Sequence, residues 1–220
     1  MARASFQQEL EQLRLQVEVM AARVALALER MHEVLRTGAP DLAAEAVAAD
    51  DDVDAMLVSL TERTYDLIRR EAPVASDLRY LVSVLRILEE LERIADLSLR
   101  VVKQAPEQPV LVAHGEMFAI LDDMATIDEE LFRAAFDAWS AEDPALAGDL
   151  LPRSAAIDHA YHRLLDQILV LDGPGAVHLA VTAVLVGRAL ERIADHTVIV
   201  GERLRYLLTG DPAYIASEVR

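Results

Sequence analysis

Glu92 and Asp96 stand four residues apart, as do Glu191 and Asp195 and, earlier in the chain, Asp50 and Asp54. On a helix, residues four apart lie one above the other on the same face. Carboxylates gathered from neighbouring helices repel one another unless something positive sits between them. Hard cations such as magnesium, calcium, manganese or iron suit oxygen-rich sites of this kind, with several carboxylates per ion. A solvated, salt-bridged face has the same spacing: Glu89 precedes Arg93 by four residues, and Asp96 precedes Arg100 by four. Duplication brings the two readings level. The run LERIAD occurs at 91–96 and again at 190–195, 99 residues later, while Val53-Asp54 and Ile157-Asp158 hold matching places upstream. An isolated pair reads as a solvated face; repeated in matching elements, the pairs support a metal site and a solvated face equally.

Proline and glycine divide the chain into the elements that must carry these acids. Breaks fall at Gly38-Ala39-Pro40, Pro73, Pro106 to Pro109, Pro144, Gly173-Pro174-Gly175, and Gly210 with Pro212. Between them the apolar residues recur at helical spacing. Leu78, Leu81, Val82, Leu85, Leu88 and Leu91 give the third piece one buried face. Thr37-Gly38 and Thr209-Gly210 read as helix ends, and Asp143-Pro144 as an N-cap followed by proline at the first helical position. The pattern predicts six long helices, near 5–37, 41–71, 75–104, 110–140, 144–171 and 176–209. Joined by short connections, they pack as an all-α bundle or pair of bundles. With the internal repeat, the simplest division is two three-helix units, residues 1–106 and 107–220.

Composition agrees with helices: 53% of residues are hydrophobic, only 5% aromatic and 27% charged. A net charge of −17 repels a phosphate backbone, so nucleic acid is not an expected partner, and cations or basic protein surfaces are. There is no cysteine, hence no disulfide, thiolate zinc site or cysteine nucleophile. Leu179 to Val186, the most apolar stretch, is far shorter than the ~20 residues of a membrane span. The expected location is cytoplasmic.

Arg79, Arg86, Arg93 and Arg100 recur every seven residues, a stripe that reads as a solvated flank neutralising adjacent acids and secondarily as a docking face. Glu29-x-x-His32 has the spacing of a di-iron ligand pair, but only one copy exists and the architecture wants two, so a surface position is expected. His196 follows Asp195 directly and points about a quarter-turn away, toward a supporting or surface role. No nucleophile elbow, phosphate-cradling glycine loop or H-E-x-x-H zinc signature occurs, so no enzyme is expected.

The run PVASDLRYLVSVLRILEELERIAD at 73–96 resembles the central signature of the PhoU family, and GRALERIADH at 187–196 resembles its second-repeat counterpart. Met31-His32, the DxxxD of the second helix and the total length are similar too. The resemblance implies two tandem three-helix bundles related by pseudo-two-fold symmetry, commonly as a homodimer, binding metal ions, iron clusters among them, through E(D)xxxD motifs. It implies a negative regulator of phosphate uptake that links the ATPase of a phosphate ABC transporter to a membrane sensor histidine kinase. Carried over by position, the implied metal ligands are Asp50, Asp54, Glu92 and Asp96 in the first repeat and Asp158, Glu191 and Asp195 in the second, with Asp77 weaker. Iron, manganese, zinc or magnesium are the candidate ions.

Two departures matter. Where the family has glycine in ERIGD, this chain has Ala95 and Ala194. Where the pattern puts an acid four residues before Asp158, this chain has Ser154, preceded by Pro152 and Arg153, and Gly148 weakens the same region. The second-repeat site is therefore expected to be poorer in ligands, with His162, four residues after Asp158, as a candidate replacement. Two rival readings are a ferritin-like di-metal oxidoreductase, whose second E-x-x-H is missing, and a metal-free helical scaffold whose acids all face solvent.

Overall fold

A computed structural model describes residues 2–216. Among them the elements are all helical: α1 Ala2–Thr37, α2 Pro40–Glu71, α3 Ala75–Val102, a 3-10 turn Ala105–Glu107, α4 Gln108–Val112, α5 Gly115–Ala141, α6 Pro144–Gly148, α7 Leu150–Leu169, α8 Ala176–Thr209 and α9 Ala213–Ala216. The fold is all-α with two repeats, α1–α3 forming one bundle and α5, α7 and α8 the other. The two LERIAD helices, α3 and α8, make the principal contact between the halves, with α1 against α5 beside it. No described helix is long and apolar enough to cross a membrane.

The breaks fall where local chemistry puts them. Gly38 and Gly210 take the left-handed conformation, φ 63° and 76°, that closes α1 and α8. Asp143 Oδ1 accepts from the backbone N–H groups of Ala145 and Leu146 at 2.8 and 3.3 Å and caps α6. The expected fifth helix is interrupted: α6 stops at Gly148, and α7 restarts at Leu150. Pro152 then sits in the first turn, where its missing N–H had no intrahelical partner to lose. The expected fourth helix is likewise two pieces, α4 and α5, parted at Ala113-His114.

The core runs the length of both bundles. Leu81, Ile87, Leu88, Leu91 and Ile94 of α3 are fully buried, each contributing about 1.5–3 kcal/mol of transfer free energy. Leu78 and Val82 do not join them; they are 38% and 45% exposed. The reason is that α3 is covered by α1, α2 and α8, and its one open stripe runs through Leu78, Val82, Glu89, Arg93 and Arg100. Close approach of α8 to its neighbours rests on two glycines. A Cβ at Gly201 would come within 2.5 Å of Leu150 Cδ1 and 3.1 Å of the Ala147 carbonyl, and one at Gly187 within 2.4 Å of Leu164 Cδ2.

Candidate metal centre

In the first repeat, α2 and α3 bring four predicted ligands together. Asp50 and Asp54 lie one turn apart on α2, facing Glu92 and Asp96 on α3; Asp54 is exposed and the other three are half-buried. Burial pushes the Asp50 carboxyl above the usual carboxylate range, and the charges of Asp54 and Asp96 push it further. Glu92 is raised by burial and then by Asp96, Asp54 and Asp50, with Arg93 opposing. Each acid of the set thus acts on others across the helix pair. Beside Asp50 lies a cavity of about 20 Å³, and the methyl group of Ala95 forms part of its wall.

The second repeat gathers three. Asp195 of α8 lies on an exposed position, yet partial desolvation raises its carboxyl, followed by Glu191, one turn earlier, and by Asp158 on α7; Arg188 and His196 oppose the shift. Glu191 is also held by an ion pair to Arg188. Ser154 donates to the Leu151 carbonyl at 2.9 Å and offers no carboxylate. His162 is exposed, its Nδ1 2.7 Å from the Asp158 carbonyl oxygen. Asp77 is not part of either cluster: it lies fifteen residues before Glu92, about 22 Å along α3.

The donors are oxygen ligands of the type a hard cation takes. Their side chains are not yet converged: among the described residues, no three His, Asp or Glu groups are close enough together to hold an ion as they stand. A positive ion here would offset the mutual repulsion that adds to burial in raising Asp50, Glu92 and Asp195.

His32, expected at the surface, is structural, and His196, expected in a supporting or surface role, takes a supporting one. His32 is buried, with Nδ1 2.8 Å from Glu129 Oε1 and Nε2 2.8 Å from Asp122 Oδ1, joining α1 to α5. Glu29, the other half of the E-x-x-H spacing, is exposed. His196 sets Nδ1 2.5 Å from Oε2 of the buried Glu90. The arginine stripe divides. Arg93 and Arg100 are exposed, whereas Arg79 donates to the Leu207 carbonyl at 2.9 Å and Arg86 pairs with Glu89 and Glu90 at 3.0 and 2.8 Å. Asp128 of α5 was absent from the sequence reading. It is fully buried, and burial together with the charges of Asp195 and Glu129 holds its carboxyl well above the usual range. Its signal was present: Met124, Ala125, Leu131 and Phe132 mark the face on which it lies.

The PhoU domain model matches residues 17–105 and again 121–204. A curated relative, the phosphate-specific transport system accessory protein PhoU homolog 1 of Thermotoga maritima, is 30% identical over 207 residues, covering 93% of this chain and 89% of that protein. The crystal structure of PhoU from Pseudomonas aeruginosa superposes with a TM-score of 0.86 at 26% identity, covering 94% of this chain and all of that one. The structure of the phosphate transport system regulatory protein PhoU from Streptococcus pneumoniae, 19% identical, has the same fold with a TM-score of 0.82 over 94% and 98% of the two chains.

Proposed function

The chain belongs to the PhoU family, and from that premise we propose that it is a cytoplasmic, non-catalytic regulator of phosphate uptake. It acts by docking. One surface engages the ATPase of a phosphate ABC transporter, another the sensor histidine kinase, and together these contacts hold uptake and starvation signalling down when phosphate is plentiful. The working form is a homodimer, each chain made of repeats 1–106 and 107–220. The observation that carries this reading is the family match over both repeats, each including its LERIAD acids.

Metal supports the bundle. Asp50, Asp54, Glu92 and Asp96 hold it in the first repeat, and Asp158, Glu191 and Asp195 hold it more weakly in the second. Bound there, a hard cation supplies charge neutralisation between facing helices. Iron, manganese, zinc and magnesium all suit these oxygen donors.

The test is deletion of the gene in its host, with complementation by the intact chain. Phosphate uptake and a starvation-gene reporter are both read in phosphate-replete medium. Raised signals in the deletion, restored by complementation, support the reading; unchanged uptake and reporter sink it. Elemental analysis of untagged protein, purified without chelator, tests the metal separately.

A further inference from the structure

Between α3 and α8 lies a groove whose charge runs against that of the whole chain. Its volume is about 340 Å³ and its lining is largely apolar, with Leu97 of α3 and Ala189 of α8 in the wall. Arg100 and Lys103 border it from the end of α3, Arg188 and Arg192 from α8, and no acid lines it, although the chain carries a net charge of −17. Arg100, Lys103 and Arg188 are exposed. Glu191 pairs with Arg188, and Lys103 offsets Asp50, but neither acid reaches the groove. The basic character belongs to this side alone. The repeat counterparts of Arg188, Arg100 and Lys103, 99 residues away, are Glu89, Ile199 and Glu202, and only Arg192 has a basic match, Arg93.

The apolar surface continues beyond the groove. Val177, Val181 and Leu185 are each more than half exposed, and at helical spacing they share one face of α8 with Arg188 and Arg192. From Val177 to Arg192 that face is about 22 Å long, or about four helical turns. Such a length overruns a small anion and matches a second helix laid along the first. Charge narrows the occupant further. A second copy of this chain, meeting the groove through a two-fold axis, would set these cations against their own equivalents. A flat anionic membrane does not fill a cleft between two helices, and the rest of the chain repels it. Resting on the docking reading above, we propose that this groove receives a regulatory partner through an acidic amphipathic helix. The helix lays its apolar stripe on Leu97, Leu185 and Ala189, and its flanking Asp and Glu side chains pair with the four cations.

The experiment titrates the full chain with the host's detergent-solubilised phosphate transporter and, separately, with its solubilised sensor kinase. One of the two is expected to bind, with an affinity that falls as salt rises. Arg100→Glu and Leu185→Glu are each expected to weaken that binding by at least about tenfold. Arg69→Glu, exposed on α2, is the charge control and is expected to stay within about twofold of wild type. Because both groove positions are exposed, Tm of their variants is expected to be unchanged, which guards against misfolding. Lys103 is the only lysine of the chain, so carbodiimide, which joins an amine to a carboxylate, is expected to link it to an Asp or Glu of the bound partner. Lys103→Arg is expected to lose the link and keep the binding. Unchanged binding in both groove variants overturns the proposal and leaves the docking reading standing. So does dissociation of a dimer of this chain by Arg100→Glu, which gives the groove to a second copy. Loss of binding to phosphatidylglycerol vesicles, with transporter and kinase binding kept, overturns it in favour of the membrane. A wild type that binds neither transporter nor kinase overturns both readings together.

Discussion

His196 of α8 and Glu90 of α3 meet across the seam between the repeats, with Nδ1 and Oε2 2.5 Å apart and the Glu90 side chain 2% exposed. Arg86 reaches the other oxygen of the same carboxylate at 2.8 Å. A second histidine also joins the halves: His32 of α1 lies between Asp122 and Glu129 of α5. The halves are therefore joined by buried charge as well as by apolar packing.

Replacing His196→Leu leaves Glu90 buried with Arg86 alone, and is expected to cost about 2 kcal/mol of stability in urea unfolding. The double variant Glu90→Ala, His196→Leu removes both partners and is expected to recover much of that loss. Additive effects of the two single changes would refute a direct coupling.

Asp122 governs the acid limb of stability. Hydrogen bonding to Arg36 foremost, and to His32, holds its carboxyl below the usual range. A carboxyl whose folded value is depressed stabilises the fold above its unfolded value, about 4, and loses that contribution as pH falls through the folded value. Wild type is expected to lose Tm steeply below about pH 4, and Asp122→Asn to start lower at neutral pH and fall less.

The facing acids act with the opposite sign. Asp50 and Glu92 are raised, so the metal-free folded state binds protons more readily than the unfolded chain, and stability declines as pH rises through their folded values. Asp96→Asn removes one of the repelling charges. In metal-free protein at pH 7.5 it is expected to raise Tm by roughly 1–3 °C, a gain that shrinks toward pH 5.

Gly201 tests how tightly α8 is seated. Alanine there gains about 1 kcal/mol of helix propensity but meets Leu150 and the Ala147 carbonyl. Overpacking of about 1–3 kcal/mol outweighs the gain, and chemical denaturation is expected to show net loss. Gly115→Ala, with nothing within 4 Å of the added carbon, is the control and is expected to be neutral or stabilising.

The helices and the first cluster were legible because they depend on local signals. Proline and glycine end elements regardless of what packs on them, and i, i+4 acids share a face in any helix. What escaped depends on which sides of a helix are covered. Leu78 and Val82 fit the apolar period, yet they lie on the stripe of α3 that faces solvent. His32 lacks a second E-x-x-H and so looks unconstrained, but its two partners lie 97 and 90 residues away on α5. Asp128 was hidden by Glu129 and Glu130, which make the run look like an exposed acidic turn of helix.

The LERIAD repeat gives every residue of the seam a counterpart 99 positions away. Glu90 corresponds to Ala189 and His196 to Leu97, both apolar and both lining the shallow groove between α3 and α8. A charged contact thus lies on one side of the pseudo-axis and a greasy one on the other. Two identical half-length chains paired about a true two-fold would have to carry the same contact twice. Covalent fusion removes that obligation, since each copy of the motif then diverges to suit its partner. The halves of this protein have become complementary rather than interchangeable, and either one alone would present an orphaned Glu90 or His196 on its open face.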